Sequence, residues 1–340
     1  MRVDFDRLRC ASVFEGDEVV IHPFTARAGA NIRIAEVQDV LYLPNVLEAG
    51  QSVCIFDDEI VPEESVLFPD TVDFLKSVRA RHPASSSSYS GEFEVDRISA
   101  PVCILGNLFS RNFGHWTEEL LKVVILESSG LHCQYVMSTL PPFARESLIL
   151  LGIEEARIRQ VDVPTLFDRV LFTTAIHHDS VHLHPDALYL LRTLVESRVT
   201  GQSAFGPRVW LERGAMLNNG GVTLNRDEVG AVIAKFGFES VDMAALPVAD
   251  QLRAMRGATL IAGPHGASFV HAQFMPPRSA VVECFSPKYV NPSILQICRV
   301  LQHRYHQVVS PVNYVAPYTH GRNILIDCRH LELVLDSLAW

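Results

Sequence analysis

The chain has 340 residues, of which 48% are hydrophobic and 20% charged, and its formal net charge is −10. This length predicts about two domains, and the apolar fraction is large enough for sizeable cores and too large for a disordered chain. An acidic protein gains little from counterion release at a phosphate backbone, so we predict no nucleic-acid partner. A small anionic ligand is compatible with this charge, since it needs only a local patch of arginine, histidine and backbone N–H groups.

The seven cysteines are scattered along the chain, and no two of them form a CxxC pair. This pattern is typical of reduced thiols and argues against both a disulfide framework and a zinc site. The first residues lack an apolar leader core, and no stretch approaches the roughly 18–20 apolar residues of a membrane span. We therefore expect a soluble cytoplasmic protein without a transmembrane segment, peripheral to a membrane at most. The sequence does not indicate an oligomeric state.

The first half of the chain changes character near residue 100. Residues 1–80 are β-rich, with short apolar runs at 18–22, 40–43 and 52–56 between turn residues. A short helix is predicted at 71–79, and the serine run 84–90 is typical of an exposed loop. Strands and helices alternate from residue 100 onwards, which implies a mostly parallel sheet. The predicted elements there are strands at 101–105, 135–137 and 170–173 and helices at 113–128, 142–151 and 185–197.

The stretch 200–207, rich in glycine, serine and proline, is the best candidate for a linker. The alternation restarts after it. The predicted strands are 208–212, 240–243, 259–262, 280–283 and 306–309, and the predicted helices are 225–236, 247–256, one from 267, 292–301 and 329–338. A loop is predicted at 218–221. The sequence thus predicts two α/β domains, residues 1–200 with a β-rich start and residues 201–340.

The most informative motif is the run Gly263-Pro264-His265-Gly266-Ala267, which follows a predicted buried strand. If a helix begins at Ala267, free backbone N–H groups and the positive helix end lie at the carboxyl edge of a parallel sheet. Gly266 would let a diphosphate approach the backbone, and His265 would add a hydrogen-bond donor. The alternative is an ordinary turn between a strand and a helix.

Three charged residues of the second domain could support this turn. Glu283 ends the next predicted strand, where a carboxylate can accept hydrogen bonds from ribose hydroxyls; the alternative is a solvated carboxylate. Arg208 and Arg213 flank the first strand of this domain. Either could clamp phosphate oxygens, although both could instead be surface arginines.

In the first domain, His115 and Glu119 begin a predicted helix and lie four residues apart, on one helix face. A carboxylate there could orient and charge the imidazole, which would make an acid–base pair. The alternative is that His115 caps the helix and the glutamates complement its dipole.

We predict neither a metal nor a cofactor. His182-Leu183-His184, close to His177 and His178, could bind zinc on a strand, but no third-ligand spacing accompanies it. The nucleotide and nucleophile motifs GxGxxG, GxxxxGK[ST] and GxSxG are absent. A DxD sequence occurs only at Asp4-Phe5-Asp6, far from the predicted ligand turn.

Several of these segments together resemble glycosyltransferase family 61, over about residues 110–310. They are Asn112–Trp116 with Glu119, Arg208–Arg213, Leu224–Glu228, Gln251, Gly263–Ala267, Phe274 and Val282–Glu283. The resemblance implies two Rossmann-like domains facing across a cleft (a GT-B-like fold), with the nucleotide-sugar donor in the C-terminal domain and a glycan or other hydroxyl acceptor between the domains. It also implies an inverting, metal-independent transfer.

When the family's functional residues are matched to this sequence by position, the resemblance puts Arg208, His265 and Glu283 at the nucleotide sugar. It puts His115 and Glu119 on the acceptor side. The sequence therefore predicts a glycosyltransferase of glycan or polysaccharide synthesis, with residues 1–200 on the acceptor side and 201–340 binding the donor. The predicted catalytic residues are His115 and Glu119. The predicted donor-binding residues are Arg208, Arg213, Gly263, His265, Gly266, Ala267 and Glu283. Two alternatives stay open: another sugar-nucleotide enzyme, such as an epimerase or hydrolase, and a binding protein without activity.

Overall fold

The computed structural model describes residues 1, 9–10, 20–23, 32–47, 51–56, 59–60, 92–106, 113–173, 177–178, 182–213, 223–310 and 323–338. The helix predicted at 71–79, the serine run 84–90 and the loop predicted at 218–221 lie outside these residues. The chain divides into two compact units, Met1–Leu194 and Val195–Trp340.

The first unit contains a large sheet and the helices that connect its strands. Its strands are β1 (Arg9–Cys10), β2 (Val20–Pro23), β3 (Arg33–Leu47), β4 (Gln51–Phe56), β5 (Glu59–Ile60), β6 (Asp96–Ile98), β7 (Val102–Ile104), β8 (Gln134–Met137), β9 (Ile158–Gln160), β10 (Thr165–Thr173), β11 (His177–His178) and β12 (His182–Leu183). Its helices are α1 (Phe113–Ser128), α2 (Pro142–Leu150), the 3₁₀ turn Glu155–Arg157 and α3 (Pro185–Arg198), whose last residues belong to the second unit.

The large sheet is parallel on one side and mainly antiparallel on the other. Its order is β1-β5-β4-β3-β10-β7-β8-β9, with β2 also paired to β3 and β6 to β10. Strands β10, β7, β8 and β9 run parallel, and α1 and α2 connect successive strands of this half. Strand β3 is antiparallel to β10, β2 and β4. The strands predicted before residue 60 therefore extend the parallel sheet with antiparallel neighbours.

Helix α1 has the bounds that its sequence periodicity predicts, Phe113–Ser128. Every residue from Trp116 to Leu126 is buried, including two glutamates and a lysine. The Trp116 indole donates a hydrogen bond to the Ser147 hydroxyl of α2 at 2.7 Å, which satisfies a buried N–H group. The first turn of α1 is therefore anchored against the neighbouring helix.

The second unit alternates strands and helices throughout. Its strands are β13 (Arg208–Leu211), β14 (Glu239–Val241), β15 (Leu260–Pro264), β16 (Ala280–Phe285) and β17 (Arg304–Val309). Its helices are α4 (Arg226–Lys235), the 3₁₀ turn Met243–Ala245, α5 (Val248–Gly257), the 3₁₀ helix Ala267–Phe274, α6 (Ser293–Leu301) and α7 (Cys328–Ser337).

All pairings in this second sheet are parallel, in the order β14-β13-β15-β16-β17. The chain steps from β13 outwards to β14 and then crosses over to β15 on the other side. Such a reversal creates a crevice beyond the carboxyl ends of the two strands that flank it, here β13 and β15. The α/β class predicted from the sequence is confirmed, while the GT-B-like arrangement of two Rossmann-like domains stays a prediction.

The helix predicted to begin at Ala267 does begin there, and it is the 3₁₀ helix Ala267–Phe274. Residues Phe269–Phe274 are all buried, and the segment packs against α5 and α6. A 3₁₀ helix is narrower than an α-helix and advances further per residue. The segment therefore lacks the one-sided apolar stripe of a surface α-helix.

Candidate functional site

At the carboxyl ends of the strands in the second sheet, β13 and β15 approach each other closely. Gly263 is buried in β15 with φ +157°, and a Cβ atom built there would lie 2.5 Å from the Leu211 carbonyl oxygen. No side chain fits that gap. Glycine at this position therefore lets the two strands pair up to the point where the crevice opens.

His265 and Gly266 connect β15 to the 3₁₀ helix. The His265 backbone N–H donates to the Cys284 carbonyl at 2.8 Å, so this N–H group belongs to the sheet and is not available to a ligand. The first hydrogen bond of the helix runs from Phe269 N–H to the Gly266 carbonyl at 3.0 Å. The N–H groups of Ala267 and Ser268 precede it, and they have no partner within the helix. The predicted group of N–H donors thus exists at a 3₁₀ helix start.

Gly266 differs from Gly263 because its own surroundings do not require glycine. Its φ of 177° is extended backbone that any residue adopts. A Cβ atom there would meet only the Pro264 carbonyl oxygen, at 3.9 Å. Ala267, the next residue, is exposed. The turn therefore leaves open space in front of the helix start.

The His265 side chain is held on two sides. Its Nδ1 atom contacts Oε1 of Glu283, and its ring stacks on Phe285 with centroids 4.8 Å apart and planes 26° apart. The Tyr289 ring lies at 5.4 Å on a tilted plane. Only 14% of the His265 side chain is exposed. The imidazole therefore has a fixed orientation, with one nitrogen directed into the protein.

Glu283 lies inside the sheet and not at its end, since β16 continues to Phe285. The carboxylate is fully buried, and its second oxygen accepts a hydrogen bond from the Tyr305 hydroxyl at 2.6 Å. Gln307 donates in turn to the Tyr305 oxygen at 3.1 Å. Burial, followed by the charge of Glu283, raises the pKa of Tyr305, so the phenol stays neutral and donates. Both carboxylate oxygens therefore have protein partners, and the expected contact between Glu283 and a ribose stays a prediction.

The two arginines lie at opposite ends of strand β13. Arg208 is the first residue of β13 and pairs in register with Leu260, five positions before His265. At about 3.3 Å per residue it is about 16 Å from the turn along the strands. Its guanidinium donates to the Phe236 carbonyl at the end of α4, at 2.7 Å. The structure therefore does not bring Arg208 to the turn, and its placement at donor phosphates stays a prediction.

Arg213 follows β13 at its carboxyl end, two residues after Leu211, whose carbonyl faces Gly263. Arg213 is half-buried. It lies on the same edge as His265, beside the crevice between β13 and β15. Of the two arginines, this one lies at the carboxyl end of β13.

Asn225, one of the residues that carried the resemblance, has a structural role here. Its side-chain amide donates to the Ile326 carbonyl at 2.9 Å and accepts from the Ile326 N–H at 3.0 Å. The C-terminal segment is thereby fixed beside the start of α4.

The acid–base residues predicted in the first unit lie in the first two turns of α1, with different partners from those expected. His115 Nδ1 lies 3.6 Å from Oε2 of Glu118, and 27% of the His115 side chain is exposed. Glu119 is fully buried, and the Lys122 ammonium lies 2.8 Å from its Oε2. The contacts given by the structure pair His115 with Glu118 and Glu119 with Lys122. The pairing of His115 with Glu119 stays a prediction.

The histidine cluster of the first unit forms a short antiparallel pair, with His178 opposite His182. The side chains of residues 177–183 lie outside the described part of the chain. His184 Nδ1 accepts the Asp186 N–H at 3.2 Å, so His184 caps the start of α3. Among the described residues, no group of three or more histidine, cysteine or acidic side chains could hold a metal ion.

Sequence reasoning missed the aromatic residues around His265. Tyr305 and Gln307 are two residues apart in β17 and partly buried, so they lie on one face of the strand, a spacing that could have been noticed in the sequence. Phe285 and Tyr289 follow Glu283 closely in the sequence. Their contact with His265 depends on the register of β15 with β16, which sequence patterns do not give.

In the described part of the chain, no helix is long and apolar enough to span a membrane. No protein with a curated description matches this sequence. Among solved structures, a mutant flavo di-iron protein from Thermotoga maritima is 11% identical, with a TM-score of 0.27. The alignment covers 90% of this chain and 63% of that one, and a similarity at this score carries no argument about fold or function.

The family described as Glycosyltransferase 61 matches residues 113–282, which is half of the chain. The match runs from the first residue of α1 to within one residue of Glu283, and it includes the turn at His265 and Gly266. The chain therefore belongs to the Glycosyltransferase 61 family, which gives it the enzyme class of a glycosyltransferase.

Proposed function

We propose that this protein is an inverting, metal-independent glycosyltransferase that moves a sugar from a nucleotide-sugar donor to a hydroxyl acceptor in glycan or polysaccharide synthesis. One observation carries the proposal: at the turn of His265 and Gly266, a histidine held by a buried glutamate lies beside the N–H groups that begin a helix. Family membership supplies the class of reaction.

In this proposal, the donor diphosphate lies against the turn in the second unit. The N–H groups at the start of the 3₁₀ helix donate to its oxygens, and Gly266 and the exposed Ala267 leave room for it. His265 and Arg213 offset its negative charge. Glu283 contributes through His265, and Gly263 contributes by bringing β15 close to β13. Arg208 has no place in this donor site, because its strand register puts it at the opposite edge.

The same groups would favour the transition state over the bound substrate. Negative charge builds on the diphosphate as the bond to the sugar breaks, so donors fixed in place beforehand stabilise the transition state more than the ground state. Inversion follows if the acceptor oxygen attacks the sugar carbon from the side opposite the diphosphate.

A base is needed to take the acceptor proton, and we keep His115 of the first unit in this role. Its side chain is partly exposed, and Glu118 is the carboxylate 3.6 Å from its Nδ1. Glu119 is buried against Lys122, so we assign it an indirect role in holding the helix.

Two further features of the proposal rest on sequence observations. Metal independence is supported by the lack of a DxD sequence at a strand end of the second unit and by cationic side chains at the turn. A cytoplasmic location is supported by the cysteines, since all six whose side chains the structure describes are free thiols.

Ligand-induced stabilisation tests the donor site directly. Nucleoside diphosphates and nucleotide sugars are screened by thermal shift, where a ligand at about 100 times its Kd adds about 2.7 kcal/mol of stability to the native state. His265→Ala should then weaken binding of the selected nucleotide by about 5–150-fold, as expected for a lost hydrogen bond to a charged group. His330→Ala, a change of an exposed histidine on α7 in the same unit, is the matched control. Unchanged affinity in folded His265→Ala protein would remove the turn from the donor site.

Turnover then separates the three candidate activities. A glycosyltransferase releases nucleotide from the donor faster when a hydroxyl acceptor is supplied. An epimerase or hydrolase consumes the nucleotide sugar without any acceptor, and a binding protein shows stabilisation without turnover.

A further inference from the structure

A fully buried carboxylate in the middle of a strand requires an explanation, and Glu283 of β16 is such a group. An ionised carboxylate placed away from water is tolerated when it is paired and hydrogen-bonded. The structure gives Glu283 two partners, the Nδ1 atom of His265 on one oxygen and the Tyr305 hydroxyl on the other. An ionised carboxylate can only accept hydrogen bonds, so both partners must donate.

A buried ionised carboxylate is stabilised by a neighbouring positive charge, and the groups around Glu283 differ in whether they can supply it. Burial, followed by the charge of Glu283, raises the pKa of Tyr305, and the same two causes raise the pKa of Cys284 and of Cys298 on α6. All three groups therefore stay neutral. Among the residues that the structure describes, His265 is the group in contact with the carboxylate that can become a cation.

The orientation of His265 places its second nitrogen on the far side of the ring from Glu283. Stacking on Phe285 fixes the plane of the ring, and the Nδ1 contact fixes its direction. No protein partner for Nε2 occurs among the described residues. The side chain is 14% exposed, and Nε2 is not one of the fully buried nitrogens that lack a partner, so this nitrogen is accessible to a ligand.

We propose that Tyr305 and Glu283 are positioning residues that hold His265 as a doubly protonated imidazolium, which donates its Nε2–H to the leaving diphosphate. The proposal rests on the donor site proposed above. An imidazole between two anions is most stable with both nitrogens protonated, since each N–H then makes a charge-assisted hydrogen bond. Glu283 orients the ring and stabilises its charge, and Tyr305 holds Glu283 in place.

The proposed step balances in atoms and charge. The bond between the anomeric carbon and the diphosphate oxygen breaks, and both electrons go to that oxygen. The Nε2 proton moves to a phosphate oxygen, which leaves His265 neutral with its Nδ1–H still donated to Glu283. The acceptor oxygen forms the new bond to the anomeric carbon, and its proton goes to a general base.

Three variants test the proposal. Glu283→Gln keeps the shape of the side chain and removes its charge, and Tyr305→Phe removes the hydroxyl that holds Glu283. Tyr135→Phe is the matched control, because the Tyr135 hydroxyl also lies within the protein and donates to a glutamate, Glu127, at 2.8 Å. It removes the same kind of hydrogen bond from the first unit, far in sequence from the turn.

The first measurement is spectroscopic and needs no turnover. Protein labelled with ¹⁵N-histidine is titrated with inorganic pyrophosphate, and the His265 signals are assigned among the 14 histidines by comparison with His265→Ala. In the wild-type and Tyr135→Phe complexes, both ring nitrogens of His265 should be protonated. In Glu283→Gln, the ring should be neutral. Identical His265 signals in the wild-type and Glu283→Gln complexes would overturn the proposal.

The second measurement separates kcat from donor affinity. Glu283→Gln should lower kcat by about 10²–10⁴-fold, the usual effect of losing acid–base assistance, with a much smaller change in the Kd for the donor. Tyr305→Phe should lower kcat by about fivefold, the effect of one hydrogen bond, while Tyr135→Phe stays at the wild-type value. If Glu283→Gln does not fold, the comparison of Tyr305→Phe with Tyr135→Phe tests the proposal by itself. Equal kcat values for these two variants would refute the positioning role of Tyr305 and Glu283.

Failure of the wider donor-site proposal gives a different result. If no nucleotide stabilises the wild-type chain, the donor site itself is wrong. If nucleotides stabilise the chain but pyrophosphate leaves the His265 signals unchanged, the donor site stands and the proton donation from His265 is overturned.

Discussion

Gly263 in β15 and Gly266 in the turn should respond differently to replacement by alanine. The first change should lower the stability of the protein, and the second should weaken ligand binding. In Gly263→Ala, the new Cβ would lie 2.5 Å from the Leu211 carbonyl oxygen, whereas ordinary contacts of this kind begin at 3.4 Å. Strands β13 and β15 would therefore have to separate by about 0.9 Å. Overpacking of this kind costs about 1–3 kcal/mol, and the positive φ adds about 1–3 kcal/mol for a residue other than glycine. We expect a loss of about 2–6 kcal/mol, a large part of the roughly 5–15 kcal/mol that stabilises a domain.

Gly266→Ala meets no such obstacle, since its Cβ would have one neighbour, at 3.9 Å, and its backbone is extended. The stability of the second unit should change by no more than about 0.5 kcal/mol. The added methyl group would occupy the space in front of the helix start. If the diphosphate lies there, its affinity should fall by about 5–150-fold, the equivalent of an overpacking cost of about 1–3 kcal/mol.

Hydrogen exchange followed by mass spectrometry measures the local loss of stability, in peptides that cover β13 and β15. Calorimetry with the selected nucleoside diphosphate measures the loss of ligand affinity. Gly263→Ala should speed exchange in these peptides, and Gly266→Ala should leave exchange unchanged while weakening binding. Wild-type affinity in Gly266→Ala would refute the reasoning that this glycine leaves room for a ligand. Unchanged exchange in Gly263→Ala would show that the strands tolerate the side chain.

Three further predictions follow from the site. Arg213→Ala should weaken binding of the donor diphosphate by about 10-fold or more, as for a charge-assisted hydrogen bond, whereas calorimetry on Arg208→Ala should give a wild-type Kd. Weakened binding in Arg208→Ala with a wild-type Kd in Arg213→Ala would restore Arg208 to the donor site. Excess EDTA should leave turnover unchanged, and loss of activity that a divalent ion restores would instead direct attention to the histidines at 177–184. His115→Ala should lower kcat by about 10²–10⁴-fold with donor affinity near wild type, whereas a destabilised variant with nearly normal kcat would remove His115 from the catalytic residues.

Helices were the easiest elements to predict from this sequence. The bounds of α1 agree with its periodicity, and α2 and α3 begin at or next to the prolines that predicted their starts. Proline is favoured in the first turn because its missing N–H has no partner there in any case. The helix predicted to begin at Ala267 does begin there, but its 3₁₀ geometry and the burial of Phe269–Phe274 were not predicted. Local patterns do not reveal such tertiary packing.

The site was harder to predict because small errors in strand bounds change the role of a side chain. Glu283 looked like the last residue of its strand, but two more residues continue β16 and place the carboxylate inside the sheet. Arg208 was assigned to the turn although it begins its strand, and in a parallel sheet the start of one strand lies far from the end of the next. The partnership of Tyr305 with Glu283 depends on side chains from two strands meeting across the sheet.

The way in which the last residues return to the second unit has a practical consequence for expression. Asn225 holds Ile326 through two hydrogen bonds, and Ile324, Leu331 and Leu335 complete the core around Trp210. The family match stops at residue 282, well before these residues. A fragment cut at the family boundaries would lack β17, α6 and α7 and would expose apolar side chains of β15 and β16 to water. Such a fragment should aggregate, so a soluble version of the second unit has to keep the chain through at least Leu338, whose side chain belongs to the same core.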